Sequence, residues 1–265
     1  MTPFADLEAF SDFASELAAA AAAETLPRFR QGTAVDNKWA TGFDPVTQAD
    51  REAERAIREV LENRFPDHGI VGEEHGRVRT DARFQWIIDP IDGTRAFISG
   101  LPTWGTLVGL YNHGVPVAGV MDQPFTGERW CALAGHGARA TDRFGDTGIA
   151  TSSVTSLADA TTMTTMPQLM DNDADRAWLA VEAKSKLQRY GADCYAFAML
   201  AAGHVDVVAE TGVQSYDVAA LIPIVREAGG VFTTWEGGDP SQGGRVVACA
   251  NAGLHKIVLS CLQAG

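Results

Sequence analysis

The chain has 265 residues, of which 46% are hydrophobic, and a formal net charge of −13 at pH 7. This length is enough to bury a large core in one large domain or two small ones. The negative charge argues against nucleic acid or an anionic membrane as a partner, because both would repel the protein. An acidic protein that handles a phosphate needs local cations, and bound metal ions would supply them.

Several common site motifs are absent from the sequence. The four cysteines form no CxxC pair, the histidines show no HxxxH spacing, and no GxSxG, P-loop or GxGxxG pattern occurs. The cysteines are therefore expected to be reduced, mostly buried thiols. Because no basic region with a following apolar core stands at the N-terminus, we expect a cytoplasmic protein. The alanine run over residues 18–23 is too short to span a bilayer.

Two helices are predicted in the first quarter of the chain. One covers residues 4–26, and the other begins at Thr47 and runs to about residue 64. Thr47 is predicted to be the N-cap of the second helix, which puts Asp50 at the position that completes a capping box. Two interpretations of Asp50 stay open: it caps the helix, or its carboxylate orients a hydroxyl or a metal-bound water.

A short predicted strand over residues 70–71 leads into Gly72-Glu73-Glu74. A carboxylate that follows a strand at a glycine can bind a metal ion and can also take a proton from water. Glu73 is therefore a candidate for both roles. The alternative is a solvated pair of glutamates.

The most informative stretch covers residues 86–94, Trp-Ile-Ile-Asp-Pro-Ile-Asp-Gly-Thr. Its first three residues are typical of a buried strand, and Pro90 is expected to end that strand because proline has no N–H for the ladder. Asp89 and Asp92 would then lie just beyond a strand end, where α/β proteins tend to place ligands. Carboxylate oxygens suit Mg²⁺, which would clamp a substrate phosphate. A turn rich in aspartate and glycine is the alternative.

Strands dominate the middle of the chain, and strands and helices alternate in its last third. Further strands are predicted over residues 107–111, 115–121, 129–133, 138–143, 161–166, 205–209, 231–234 and 246–249. Further helices are predicted over residues 174–183, 194–202, 216–228 and 253–262. The first four of these strands form two hairpins, so the middle is antiparallel. Such a mixture predicts an α+β fold built in layers.

Asp217 adds one more acid, just inside the start of the helix predicted over residues 216–228. An acid there satisfies the helix dipole, or it aims a carboxylate at a metal ion shared with other acids. Acids and hydroxyls at the starts and ends of regular elements fit one scheme. In that scheme, carboxylates hold two or more Mg²⁺ ions that bind phosphate oxygens, activate a water and neutralise the leaving alkoxide.

The order of these motifs resembles the inositol monophosphatase superfamily. The motifs are Asp-Pro-Val-Thr-x-x-Asp, Gly-Glu-Glu, Trp-Ile-Ile-Asp-Pro-Ile-Asp-Gly-Thr, and Tyr-Asp before an apolar helix ending in Glu-Ala-Gly-Gly. The resemblance spans residues 35–255. It implies a layered αβαβα sandwich, Mg²⁺-dependent and lithium-sensitive hydrolysis of a small phosphomonoester, and a homodimer. It also implies a single catalytic unit over residues 1–265, with an α+β part at 1–145 and a C-terminal α/β part at 146–265 that carries Asp217 and the substrate pocket.

The resemblance also implies roles for individual residues, with two or three Mg²⁺ ions in each active site. The implied metal ligands are Glu73, Asp89, Asp92, Asp217 and the carbonyl of Ile91. The implied catalytic residues, which orient or activate the attacking water, are Glu73, Thr94 and Asp50. The implied substrate contacts are Asp92, Gly93, Thr94, Arg95, Asp193, Glu210 and Asp217. Lys38 matches a lysine that lies near the site in relatives.

Within the superfamily, the chain is similar to the histidinol-phosphate phosphatase branch over residues 93–106, 191–195 and 210–217. Histidinol phosphate carries an ammonium and an imidazole, with which Asp193, joined by Glu210, can form charge-assisted hydrogen bonds. A neutral polyol would leave Asp193 without a cationic partner. The alternative is that Asp193 caps the helix predicted from residue 194. Arg95 either contacts substrate or forms a surface salt bridge.

Three other functions are alternatives to histidinol phosphate hydrolysis. A broad inositol- or sugar-phosphate phosphatase is the nearest alternative. Phosphatases of 3′-phosphoadenosine compounds generally carry a lysine after Asp-Gly-Thr, where this chain has Arg95. A catalytically silent binding module would not need the full set of carboxylates. Because no arrangement of serine, cysteine or histidine suggests a covalent intermediate, water is expected to attack the phosphorus directly.

Overall fold

The computed structural model describes residues 2–32, 35–37 and 45–264, and eight α-helices lie within these ranges. They are α1 (Leu7–Thr25), α2 (Gln48–Arg64), α3 (Thr94–Ile98), α4 (Asn172–Glu182), α5 (Asp193–Ala201), α6 (Ser215–Ala219), α7 (Leu221–Glu227) and α8 (Ala252–Leu262). None of the helices in the described ranges is long and apolar enough to cross a lipid bilayer.

The strands of the same ranges form three sheets. They are β1 (Val35–Asn37), β2 (Pro45–Thr47), β3 (Gly69–Gly72), β4 (Gly76–Val78), β5 (Phe84–Asp92), β6 (Gly105–Asn112), β7 (Val115–Gln123), β8 (Glu128–Leu133), β9 (Ala138–Asp142), β10 (Gly145–Gly148), β11 (Thr161–Thr164), β12 (Leu187–Tyr190), β13 (Val207–Val213), β14 (Val231–Thr234) and β15 (Gly244–Cys249). The large sheet has the order β10-β9-β8-β7-β6-β5-β3-β4, and the smaller one β12-β11-β13-β15-β14. Strands β1 and β2 pair with each other.

Helices and sheets alternate in five layers. Helices α1 and α2 bury apolar side chains such as Phe10 and Ile57 against Trp86 and other residues of one face of the large sheet. Helices α5, α6 and α7 lie between the two sheets, and α4 and α8 cover the far face of the smaller sheet. Alternate residues of β13 divide accordingly: Val208 packs in the middle layer, and Val207 packs with the outer helices. This arrangement confirms the predicted αβαβα sandwich.

The prediction that Pro90 ends its strand is wrong. Strand β5 continues to Asp92, but its register with β6 shifts between Asp89 and Asp92, which marks a bulge. Side chains bond the backbone groups around Pro90: Thr106 Oγ1 donates to the Pro90 carbonyl at 2.8 Å, and Asp89 Oδ1 accepts from the Ile91 N–H at 3.1 Å. Residues three apart on a regular strand point to opposite faces. The extra residue of a bulge re-aims a side chain, which lets both aspartates face the same side.

The prediction of a single helix over residues 216–228 is also wrong in part. The structure has two short helices there, α6 and α7, which meet at Ala220. The physical reason is Pro223, which has no N–H to donate to the carbonyl of Ala219 four residues earlier. The first of the two helices carries Asp217.

Two glycines let this helical segment rest directly on the large sheet. Gly109 of β6 and Gly119 of β7 are neighbours across the ladder. A Cβ on Gly109 would lie 2.6 Å from the backbone carbon of Ala219, and one on Gly119 would lie 2.1 Å from the carbonyl oxygen of Ala220. Glycine inside a strand often marks such a close approach of another backbone. The position of Asp217 relative to β5 therefore depends on two residues with no side chain.

We expect Gly119→Ala to destabilise the protein by about 1–3 kcal/mol, the usual effect of overfilling a packed interior. The added methyl group meets a backbone carbonyl, which cannot rotate away. Gly148→Ala is the matched control, since it makes the same change in β10, where no atom lies within 4 Å of the new carbon. Urea denaturation of both variants measures the difference, and equal stabilities would contradict the close-contact account.

Candidate active site

Three carboxylates from two distant parts of the chain meet at one point. Asp89 and Asp92 lie on the bulged end of β5, and Asp217 lies in the first turn of α6. Each offers an oxygen, and the three oxygens lie within 4.8 Å of one another. We call these three residues the acidic cluster. All three are among the predicted metal ligands.

Burial and mutual repulsion make negative charge unfavourable in the acidic cluster. Burial raises the pKa of Asp89 well above its usual value, and the charges of Glu73, Asp92 and Asp217 raise it further. The pKa of Asp92 is also raised, first by burial and then by Asp217 and Asp193. A cation at the centre of the cluster would reverse this effect, because it favours the charged forms.

The donor set of the site fits a divalent cation such as Mg²⁺, which prefers carboxylate, carbonyl and water oxygens. Glu73, at the start of the turn after β3, shares a hydrogen bond with Asp89 and so borders the cluster. The carbonyl of Ile91 lies in the bulge between the two aspartates, where it accepts a hydrogen bond from Thr94 Oγ1 at 3.1 Å. The structure thus brings together the residues predicted as metal ligands.

Asp50 has the capping role that was one of its two interpretations. Its Oδ2 accepts hydrogen bonds from the Thr47 backbone N–H at 2.8 Å and from the Thr47 hydroxyl at 2.6 Å. Burial raises the pKa of Asp50 to about 6, the bonds from Thr47 oppose this rise, and the charges of Glu74 and Glu73 add to it. Asp50 therefore caps α2, and it lies close enough to Glu73 for the charge of Glu73 to raise its pKa.

Asp217 likewise combines its two interpretations. One of its oxygens, Oδ2, accepts the N–H of Gln214 at 2.7 Å and so completes a capping box at the start of α6. The same carboxylate contributes an oxygen to the acidic cluster. The helix start fixes the direction in which this acid points.

The capping interpretation of Asp193 is wrong. The N-terminus of α5 is bonded instead by Asp92, whose Oδ2 accepts from the Cys194 N–H at 2.7 Å. Asp193 has a left-handed backbone with φ of 46°. Its side chain lies against Gly93, where a Cβ would be 3.0 Å from that of Asp193. The first residue of the helix therefore faces the loop that follows the acidic cluster.

Asp193 and Glu210 border a cavity of about 150 Å³ that also reaches Asp92 and Asp217. Burial raises the pKa of Asp193 to about 6, an effect that the positive charge of Arg95 opposes. Burial raises the pKa of Glu210 to about 8, although its carboxylate accepts the Thr165 N–H at 2.6 Å. Arg95 itself is exposed, and Lys38 falls outside the described residues.

Sequence reasoning missed Glu54, which holds the turn that carries Glu73. Its fully buried carboxylate accepts the backbone N–H of Glu74 at 2.6 Å and that of His75 at 3.2 Å, and it pairs with Arg58 Nε at 2.7 Å. A Cβ on Gly72 would overlap this carboxylate. The available signal was its place on the buried stripe of α2, where a charged residue needs a partner.

We expect Glu54→Gln to weaken Mg²⁺ binding at least about tenfold, because residues that orient metal ligands have effects of this size. The broken buried ion pair should also lower stability by about 3 kcal/mol. Glu62→Gln is the control, since it removes an exposed ion pair to Arg79 from the same helix and should change stability by less than about 1 kcal/mol. Calorimetric titration with Mg²⁺ provides the readout, and unchanged affinity in Glu54→Gln would refute this positioning role.

Comparison with known proteins agrees with this site. Residues 6–264 match the family model described as the inositol monophosphatase family. The chain is 38% identical to a histidinol-phosphatase of Mycobacterium tuberculosis over 96% of its own length and 98% of the relative. It is 32% identical to an inositol-1-monophosphatase of Synechocystis, over 98% and 90% of the two chains. A solved inositol monophosphatase from Zymomonas mobilis superposes with a TM-score of 0.86 at 36% identity, covering 98% of this chain and 100% of that one. The chain therefore belongs to the inositol monophosphatase family of metal-dependent phosphatases, which act on small phosphorylated substrates.

Proposed function

We propose that this protein is a Mg²⁺-dependent phosphomonoesterase that hydrolyses L-histidinol phosphate to L-histidinol and phosphate. The observation that carries the proposal is the cavity beside the acidic cluster, which is bordered by two further carboxylates, Asp193 and Glu210. A substrate with an ammonium and an imidazole offers donors for such acids. The similarity to the histidinol-phosphatase of M. tuberculosis supports the same substrate.

In this proposal, two or three Mg²⁺ ions are held by the acidic cluster, by Glu73 and by the carbonyl of Ile91. When bound, Mg²⁺ supplies charge neutralisation at the phosphate and makes a water more acidic. Glu73 would accept the proton of the attacking water, and the Thr94 hydroxyl and the Asp50 carboxylate would help to orient that water. Gly93, with a φ of 81° and no side chain, would allow the backbone to approach the phosphate.

Arg95 changes one part of the substrate argument. Because the charge of Arg95 partly offsets the rise that burial causes in the pKa of Asp193, Asp193 does not depend on the substrate for a cationic neighbour. The expectation that a neutral polyol would leave this acid without such a neighbour is therefore weaker than the sequence suggested. An inositol-1-phosphate or broad sugar-phosphate phosphatase is the second candidate, and the Synechocystis relative supports it.

We also propose that the whole chain acts as a single catalytic unit, because Asp217 comes from its C-terminal part and Asp89 and Asp92 come from its N-terminal part. The family resemblance suggests a homodimer, and the net charge of −13 argues against nucleic acid as a partner. All four cysteines are free and buried, which suits a reducing compartment such as the cytoplasm.

Removal of metal should abolish activity. We expect dialysis against EDTA to stop phosphate release from all substrates, and Mg²⁺ to restore it. Asp89→Asn should lower kcat/KM at least about a hundredfold, since the metal's charge stabilisation is worth several kcal/mol and each 1.4 kcal/mol is a factor of ten. Full activity in metal-free buffer would contradict the proposed chemistry.

Substrate choice should depend on Asp193. We expect a panel of histidinol phosphate, inositol 1-phosphate, glycerol 2-phosphate and a 3′-phosphoadenosine compound to give the highest kcat/KM for histidinol phosphate. A hydrogen bond to a charged group is worth about 1.5–3 kcal/mol. Asp193→Asn should therefore lower the ratio of kcat/KM for histidinol phosphate to that for p-nitrophenyl phosphate about tenfold. If both substrates lose activity equally, Asp193 does not recognise the ammonium.

A further inference from the structure

A second and larger cavity, of about 610 Å³, adjoins the active site. It shares Thr165, Leu169 and Asp193 with the smaller cavity beside the acidic cluster. A molecule whose phosphate lies at the acidic cluster can therefore extend past Asp193 into the larger space. We call this space the distal cavity.

One wall of the distal cavity is a stripe of helix α4. Asp175, Leu179 and Glu182 all line the cavity, and their spacing of four and then three residues puts them on the same face of the helix. Arg95 and Ser99, which are also four residues apart, line the cavity too. The lining thus combines charged and polar groups with apolar side chains.

Exposed apolar side chains are concentrated around this cavity. Leu101, Leu169, Leu179 and Tyr190 line it, and they are 53%, 54%, 49% and 50% exposed. Exposed apolar side chains are ordinary when scattered, but a cluster at the edge of a site is typical of a surface that binds something. These residues offer apolar surface to a bound group.

Glu182 lines the cavity and has a carboxylate oxygen that lacks a hydrogen-bond donor in the described part of the chain. The residue is only 8% exposed, and its Oε1 accepts no hydrogen bond from any residue in the described ranges. The carboxylate also bonds the hydroxyl of Tyr190, and burial together with this neighbour raises the pKa of Tyr190. A buried carboxylate oxygen without a donor is costly, and an N–H from a bound molecule would satisfy it.

We propose that the distal cavity binds the part of the substrate beyond the phosphate and selects a flat ring that carries an N–H donor or a positive charge. The inference rests on the proposed phosphatase function, to which it adds a ring-binding subsite. An N–H of the ring would donate to the Glu182 carboxylate, and the leucines and Tyr190 would contact the ring. The charged residues of the lining favour a cationic ring, because three are acids and one is a base: Asp175, Glu182, Asp193 and Arg95. A polyol would lose water at its hydroxyls against the apolar walls.

The test compares histidinol phosphate with 2-aminoethyl phosphate, which has the ammonium but no ring, on the Mg²⁺-loaded enzyme. Glu182→Gln should lower the ratio of their kcat/KM values about tenfold, the effect of losing one charge-assisted hydrogen bond. Leu179→Asn, at an exposed position that does not threaten folding, should lower the same ratio several-fold. Asp173→Asn is the control, because Asp173 is an exposed acid of the same helix outside the cavity and should leave the ratio unchanged.

Calorimetric binding of L-histidinol to the same Mg²⁺-loaded variants separates the subsite from the function. If Glu182→Gln and Leu179→Asn keep both the kcat/KM ratio and the L-histidinol affinity of the wild type, the subsite proposal is overturned, whatever the enzyme's activity. If the wild type does not prefer histidinol phosphate but Glu182→Gln still weakens L-histidinol binding about tenfold, the proposed function fails and the subsite stands.

Discussion

The repulsion between Asp89, Asp92 and Asp217 is the constraint on which the rest of the site depends. Their oxygens lie within 4.8 Å of one another, and Asp89 is buried from the water that would screen its charge. Like charges this close cannot all stay ionised without a cation or shared protons. The fold must therefore hold the acids together against an unfavourable interaction, and the free energy of that arrangement is recovered when a cation binds.

Three packing features supply this restraint. The bulge in β5 turns Asp89 and Asp92 to the same side, and its backbone is fixed by the hydroxyl of Thr106. Gly109 and Gly119 let α6 and α7 rest on the sheet, which brings Asp217 to the same point. The buried carboxylate of Glu54 fixes the turn next to Glu73. Backbone N–H groups also hold two acids of the cluster, because Asp92 accepts from Cys194 and Asp217 accepts from Gln214.

The sequence predicted the layered fold and most helix and strand positions, because hydrophobic periodicity and capping residues are local signals. It did not predict the β5 bulge, since the missing N–H of Pro90 argues for a strand end, and the hydroxyl that bonds the Pro90 carbonyl belongs to Thr106, sixteen residues away. It missed Glu54 and the role of Gly109 and Gly119, whose partners come from other elements. For Asp217, helix capping and a carboxylate aimed at a shared metal ion were alternatives, and the structure combines a cap with a place in the acidic cluster. For Asp50, the structure has the cap, and a role in orienting a hydroxyl or a metal-bound water stays a prediction.

Thermal unfolding as a function of Mg²⁺ concentration tests most directly whether the acidic cluster is a cation site assembled under repulsion. The account predicts that Mg²⁺ stabilises the wild type in proportion to the logarithm of its concentration, reaching about 2.7 kcal/mol at a hundred times Kd. In Asp89→Asn, whose amide oxygen can still accept the Ile91 N–H, the metal-free protein should be at least as stable as the wild type, and the Mg²⁺ effect should be largely lost. A wild-type melting temperature that does not respond to Mg²⁺, or an equal response in Asp89→Asn, would contradict the account.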